Sequence, residues 1–277
     1  MPFFPQSVVF YKMQGSGNDF ILFDNRDLGL RADKMSAWAE RLCPRAFAVG
    51  ADGMIFLNET EQPGVDYQWD FFNSDGSRAE MCGNGSRCAA RLACKLGLAG
   101  RKHVFGTDAG AVQAEVLDGG WVRVQLTAIH DLETDISLDV PGGERTVHFA
   151  NTGVPHAVVV CSDANLEDVQ KTGRAIRSHD YFAPAGANVN FIQIKDRERI
   201  FLRTYERGVE DETYACGTGA AASAAVARHL GLCNPEVRIT TSGGEELGVL
   251  LDAEGIFLSG PARLVYRGEL NPGEFGL

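Results

Sequence analysis

The sequence predicts a mixed α/β (α+β) chain of two homologous domains, each holding a buried helix inside a curved sheet. Three observations lead there. Residues 82–98 (CGNGSRCAARLACKLGL) and 216–232 (CGTGAAASAAVARHLGL) align without a gap at an offset of 134 and are identical at eight of 17 positions. A helical pattern follows the glycine-rich turn in each copy. Most of the remaining chain reads as short β-branched or aromatic runs punctuated by Gly, Pro and Asn-Gly-type turns. The register of the repeat continues downstream, with Thr107, Gly110, Leu117 and Asp118 matching Thr241, Gly244, Leu251 and Asp252. One long offset is not a solenoid, whose period would be 20–50 residues.

The elements follow in chain order. A helix is expected over 34–42 and a strand over 53–57 (GMIFL). In the first copy, Ala89, Leu92, Ala93 and Leu96 stand at i, i+3, i+4 and i+7, the spacing of one helix face. Strands are then read at 121–126 (WVRVQL), 156–160 (HAVVV), 190–194 (NFIQI) and 199–205 (RIFLRTY). In the second copy, Ser223, Val226, Ala227 and Leu230 repeat the helical spacing. That helix carries no charge from 220 to 227, and a helix apolar all round is normally buried. Asn84 and Thr218 are good N-cap types, and Gly97 and Gly231 read as left-handed helix ends. The boundary is placed between Gln125 and Asp139, giving domains of 1–126 plus 264–277 and of 127–263. The tail after Arg263 reads as a strand able to return to either domain and is assigned to the first.

Composition narrows the function. With 277 residues the chain folds without disulfide or metal staples. Its 26 basic against 37 acidic residues leave a net charge of −11. That opposes nucleic acid and anionic membrane surfaces, which attract basic patches, and suits a small-molecule substrate. No run of about 18 apolar residues is present, and MPFFPQSVVFYK lacks the features of a secretory signal. Seven cysteines, an odd number with no CxxC pair, point to free thiols in a reducing, cytoplasmic setting. No metal site is expected. GTGAAA (217–222) matches a dinucleotide fingerprint, but a polar loop stands where the fingerprint needs a strand.

The paired CGxG turns carry the chemistry. A cysteine just before a helix N-terminus sits at the positive end of the helix dipole, which is expected to lower its thiol pKa toward neutrality. The unpaired amides of the same turn can hold a carboxylate. Two such turns facing each other across an interdomain cleft would place one thiol on each face of the carbon beside that carboxylate. The reaction this suits is inversion of an amino-acid α-carbon: one thiolate removes the proton, the other thiol delivers one to the opposite face, and the amides stabilise the developing enolate-like charge. No pyridoxal cofactor is then required.

Further motifs are KMQGSGNDF (12–20), FFNSDGSRAEMCGNGSRC (71–88), NTGVPH (151–156), GANVNF (186–191), TYERG (204–208) and ACGTGA (215–220). Through them the chain resembles the diaminopimelate epimerase family over nearly its whole length. The resemblance implies two pseudo-symmetric domains, each a mostly antiparallel curved sheet around a central helix, with the active site in the cleft between them. It implies a cofactor-independent enzyme that converts LL- to meso-diaminopimelate in lysine and peptidoglycan precursor synthesis. Cys82 and Cys216 would be the acid/base thiols. The amides of Gly83, Asn84, Gly217 and Thr218 would hold the reacting carboxylate, and Asn18 and Glu206 its ammonium. Asn73, Asn188 and Arg207 would grip the distal amino-acid group. His156 would orient groups near the cysteines, and Asp19 and Asp75 would fix their loops. No cofactor and no partner beyond the amino acid is implied, a homodimer being kept as an option.

Two positions depart from the family pattern. Gly53 stands where many members carry Gln, and Val154 where many carry a substrate-binding Asn, which makes Asp52 and Asn151 candidates for the missing contacts. Competing readings share the scaffold or the ligand. A racemase of another amino acid such as histidine would keep both cysteines. Proline racemases typically read MCGHG in the first motif, against Asn84 here. Phenazine-type isomerases carry an acidic residue in place of cysteine. A binding protein would be indifferent to Cys→Ser and would exchange no α-proton.

Overall fold

Each expected strand and helix forms, and the order in which they pair shows the duplication more completely than the sequence does. The computed structural model describes residues 7–277; residues 1–6, part of the N-terminus read above for a secretory signal, lie outside the described residues. The chain divides into two units, one running through Val124 and resuming at Gly260–Leu277, the other Gln125–Ser259.

The first unit contains β1 (Val8–Gly15), β2 (Asn18–Asp24), the one-turn helix α1 (Asn25–Leu28), α2 (Ala32–Leu42), β3 (Gly53–Asn58), β4 (Tyr67–Asn73), α3 (Gly83–Lys95), β5 (Lys102–Thr107), β6 (Gly110–Val116) and most of β7 (Trp121–Leu126). The second contains β8 (His130–Val140), β9 (Gly143–Asn151), β10 (Pro155–Val160), α4 (Val169–Arg177), β11 (Asn188–Ile194), β12 (Arg199–Glu206), the short β13 (Asp211–Thr213), α5 (Gly217–His229), β14 (Glu236–Thr241), β15 (Glu246–Asp252) and most of β16 (Gly255–Pro261). The tail strand β17 (Arg263–Leu270) pairs antiparallel with β1 and so completes the first unit.

From β1 to β7 the neighbours pair antiparallel, parallel, antiparallel, parallel, antiparallel, antiparallel. The second unit repeats that sequence through β9, β10, β11, β12, β14, β15 and β16. β8 stands beside β9 as β17 stands beside β1. Helices α3 and α5 are both 13 residues long and start 134 residues apart. Both end in left-handed glycines, Gly97 at φ 69° and Gly231 at φ 73°. The parallel pairs need crossovers, which α2 and α4, then α3 and α5, supply.

Each sheet curls around its central helix. α3 packs against β1, β2, β3, β6 and β17, and α5 against β9, β10, β11, β12 and β15, strands from both ends of each pairing order. The sequence explains how a helix fits there. α5 is buried at every residue from Gly219 to Ala227, all Gly, Ala, Ser or Val, so its backbone approaches the sheet on all sides. α3 instead buries Arg87, whose Nη2 donates to Ser16 Oγ at 2.7 Å. On the outer face of the first sheet, α2 lays Met35, Trp38, Ala39 and Leu42 into an aromatic core. Phe23 stacks on Phe56 at 5.3 Å with the Trp38 edge against Phe23 at 5.2 Å. α4 plays the same part on the second sheet, where a Cβ on Gly173 would lie 2.6 Å from that of Tyr205. No helix among the described residues is long and apolar enough to cross a membrane.

Candidate active site

The two cysteines of the repeat cap the two central helices. Cys82 is in extended backbone (φ −152°, ψ 118°), and its Sγ accepts from the Gly85 amide at 3.5 Å. Cys216 is likewise extended (φ −123°, ψ 110°), its Sγ accepting from the Gly219 amide at 3.4 Å. This corrects the expectation that Asn84 and Thr218 are the N-caps. Because the chain turns helical at Gly83 and Gly217, those residues fall in the first turn, and the sulfur occupies the place usually taken by an oxygen. The amides of Gly83, Asn84, Gly217 and Thr218 then belong to the first turn, which has no carbonyl four residues back within its helix. Neither cysteine is in a disulfide.

In the first unit, Asn18 leans on Cys82. Its Oδ1 lies 3.6 Å from Cys82 Sγ and 3.4 Å from Asn84 Nδ2, while its Nδ2 donates to Asp52 Oδ2 at 2.7 Å. Asn73 sits at the end of β4, exposed, its Nδ2 donating to Ser77 Oγ at 2.9 Å. Asp75 fixes this turn by accepting from the amide and hydroxyl of Ser77. Gly53 pairs with Asn73 in the β3–β4 ladder, and a Cβ there would lie 2.8 Å from the Phe71 ring and 2.9 Å from the Phe72 carbonyl oxygen. The departure at this position is therefore built in: Phe71 fills the space through which a longer side chain would have to leave the strand.

In the second unit, burial dominates. Cys216 is 8% exposed. Its pKa is pushed up to about 11, first by burial and then by the Glu206 carboxylate, against opposing hydrogen bonds from Thr218 and Gly219. That overturns the expectation of a thiol lowered toward neutrality here. A few amides at a helix end do not offset the removal of a thiolate from water beside a like charge. Glu206 is itself raised by burial, with the Thr213 hydroxyl pulling the other way. Thr218 Oγ1 lies 3.5 Å from Cys216 Sγ.

Asn188 and Arg207 form a separate polar corner of that unit. Asn188 Oδ1 accepts from the Arg207 amide at 2.9 Å, and its Nδ2 donates to the Pro155 carbonyl at 3.3 Å. The Arg207 guanidinium is steered by the carbonyls of Ala185 and Gly186 at 3.2 and 3.4 Å. Among the described residues it forms no ion pair, with Glu206 or any other carboxylate. An arginine positioned by carbonyls and left without an anion is ready for one.

His156 is fully buried on β10. Its Nδ1 lies 3.1 Å from Asn190 Nδ2, which donates, so the ring proton resides on Nε2. Burial, followed by the charge of Arg207, lowers its pKa to about 3 and keeps it neutral. Nε2 has no hydrogen-bond partner among the described residues. Asn190 was not singled out from the sequence, yet it ties three elements together. It accepts from Thr204 Oγ1 at 3.0 Å, donates to the Ala157 carbonyl and His156, and lies 2.4 Å from where a Cβ on Gly219 would stand. The alternation Asn188-Val189-Asn190 on one strand was the available signal. Asn151 accepts from the Gly153 amide and so shapes its own turn, which also carries Val154.

The family model "Diaminopimelate epimerase" matches residues 10–132 and 148–265. A diaminopimelate epimerase from a Hydrogenobaculum species is 45% identical over 272 residues, covering 94% of this chain and 97% of that one. The enzyme of the same name from Aquifex aeolicus is 46% identical, covering 95% and 97%. Among solved structures, a phenazine biosynthesis protein of the PhzF family from Bacillus anthracis superposes with a TM-score of 0.72 at 16% identity over 96% of this chain and 99% of that one. A probable proline racemase from Agrobacterium radiobacter, with bound carbonate, gives 0.65 at 17% over 95% and 92%. At those identities the two structures speak for the fold, and the sequence relatives speak for the kind of enzyme. The chain belongs to the diaminopimelate epimerase family, and is an isomerase.

Proposed function

We propose that this protein inverts one α-carbon of LL-diaminopimelate to give meso-diaminopimelate, by proton transfer between substrate and two thiols, for lysine and peptidoglycan precursor synthesis. The observation that carries the reading is the doubled capping cysteine, one at the head of each central helix with its sulfur on a backbone amide. A structural cysteine has no need to be kept in both copies at the one position beside the helix's unpaired amides.

The roles follow from the surroundings. The first-turn amides of each central helix suit a carboxylate, and the helix dipole favours the charge that builds up as the α-proton leaves. Asn18 Oδ1 and the Glu206 carboxylate accept the ammonium. Cys216, held protonated by burial and Glu206, is the proton donor for one substrate configuration, with Cys82 as the thiolate base. For the opposite configuration the roles exchange, as microscopic reversibility requires. Arg207 takes the distal carboxylate, and Asn188 and Asn73 the groups around it. The neutral His156 orients its surroundings through Asn190 and carries no charge of its own. No step calls on a cofactor.

The test is α-proton exchange. Purified, reduced protein is incubated with LL-diaminopimelate in D2O, without pyridoxal phosphate, and followed by NMR. Deuterium at one α-carbon together with meso product is the expected result. Absence of exchange with this substrate, but exchange with histidine, proline or glutamate, would replace the substrate. Silence with all of them would remove the epimerase reading.

A further inference from the structure

Asn18 is an amide, and an amide can face Cys82 with either end. We infer that Asp52 is a positioning residue that fixes which end it is, so that the carbonyl oxygen of Asn18 faces the thiol and the substrate ammonium. The inference rests on the reading of Cys82 as a reacting group and deepens it.

The geometry runs in one direction. Asn18 Nδ2 is taken by Asp52 Oδ2 at 2.7 Å. A carboxylate only accepts, so it can be satisfied here only by the NH2 end of Asn18. Asp52 is held in turn. Its Oδ1 accepts from Arg45 Nη2 at 2.8 Å, its Oδ2 also accepts from the Asp19 amide at 3.1 Å, and its own amide donates to the Asp19 carbonyl at 2.9 Å. Its carbonyl accepts from the Ser74 amide at 3.1 Å, which joins the Asn18 loop to the turn after Asn73. Asp19 braces the same arginine and also pairs with the buried Lys12 at 2.6 Å. Although burial opposes it, Arg45 and Lys12 hold the Asp19 carboxyl down at about 2, so the brace stays charged.

The other side of Asn18 agrees. Asn84 Oδ1 accepts from Arg87 Nη2 at 2.8 Å, which turns Asn84 Nδ2 toward Asn18 Oδ1. A cation at one end and an anion at the other thus orient two amides head to tail: Arg87 to Asn84, Asn84 to Asn18, Asn18 to Asp52. Cys82 faces the one acceptor in the middle of that chain, Asn18 Oδ1. A flipped Asn18 would turn its carbonyl on the Asp52 carboxylate and its NH2 on both Cys82 and Asn84 Nδ2. It would then favour thiolate and lose the acceptor for an ammonium.

The consequence is a shift in the proton affinity of Cys82 that runs through Asn18. The charged groups linked to this corner are Lys12 on β1, Asp19 on β2, Arg45 and Asp52 before β3, and Arg87 on α3, with Glu80 two positions before Cys82 in the chain. Removing Asp52 changes the local charge as well as the amide, so a double-mutant cycle separates the two effects. In a Cys216→Ala background, the rate of Cys82 alkylation by iodoacetamide is read by peptide mass spectrometry across pH 5–10, for Asp52→Asn, Asn18→Ala and the double variant. Circular dichroism confirms the fold of each. Asp52→Asn is expected to lower the alkylation midpoint by about one pH unit, roughly one hydrogen bond moved from thiol to thiolate. That shift is expected to vanish when Asn18 is already alanine. An equal shift in both backgrounds would reduce Asp52 to a through-space charge, and no shift would remove the inference.

The alkylation readout needs no turnover, so it stands apart from the epimerase reading, which fails on its own if wild-type protein exchanges no α-proton. With turnover, Asp52→Asn in the otherwise unaltered protein is expected to lower kcat/KM about tenfold or more. Asp52→Glu, which also only accepts, should recover part of it.

Discussion

His156 offers a prediction whose size follows from one side chain. It is fully buried and its folded-state pKa is lowered from 6.5 to about 3, by burial first and by Arg207 second. The unfolded chain therefore takes up the proton first as pH falls. The stability contributed by keeping this ring neutral is complete above about pH 6.5 and is lost as pH drops toward 3. With those two values, moving from pH 7 to pH 5 costs about 2 kcal/mol. His103 and His148 are also lowered by burial and add to the slope, whereas Asp19, held near 2, contributes nothing in that window. The assay is urea denaturation at pH 7, 6 and 5 on the parent and on His156→Gln. The parent should lose about 2 kcal/mol more than the variant over the two units, whatever the variant's starting stability. Equal slopes, or an NMR titration of the His156 ring near 6.5, would refute the neutral buried imidazole.

Other outcomes follow from neighbouring features. Cys82→Ser and Cys216→Ser should each reduce α-proton exchange by at least ~10²-fold, with circular dichroism unchanged; substantial residual turnover would contradict the two-thiol mechanism. Gly219→Ala should destabilise by about 1–3 kcal/mol, because its Cβ would lie 2.4 Å from Asn190 Oδ1 inside a satisfied network. Gly85→Ala should cost less, since its nearest obstacle is the movable end of Ile55 at 3.2 Å. Thermal denaturation of both variants checks the order. Arg207→Met should raise KM for diaminopimelate by about 10–100-fold with a smaller change in kcat, read from initial rates. It should leave exchange on a substrate with no distal carboxylate little changed.

Much of this was legible because repeat and period are properties of the chain itself. The 134-residue offset marks the two central helices to the residue, and the run of small residues in α5 announces a helix without a solvent face. What the sequence does not carry is the sum of opposing effects at one atom. The helix dipole argues for an acidic Cys216, but its depth in the second unit and the nearness of Glu206 are tertiary facts, and they win. Asn84 and Thr218 are better capping types than cysteine, yet the extended backbone at Cys82 and Cys216 makes the two cysteines the N-caps. Asp52 was noticed only for standing beside the Gly53 departure, and its hold on Asn18 spans 34 positions that no local pattern connects. Asn190 escaped notice because a buried asparagine and a turn asparagine look alike until their partners are seen.

The two central helices began as copies and have since become non-exchangeable. At the offset that aligns them, Arg87 and Arg91 of α3 stand opposite Ala221 and Ala225 of α5. Arg87 has Ser16 and Asn84 to receive its protons, while Ala221 lies where nothing reaches solvent. A graft of α3 into the second unit would carry Asn84 along but leave Ser16 behind, and the reverse graft would remove Arg87 and Asn84 together, taking from Ser16 and from Asn18 Oδ1 the donors they face. Descent from a common half thus left the pairing order of the strands intact while each helix adapted to its own surroundings. A lineage that later fused, deleted or doubled one half could not rebuild the other from it by simple copying.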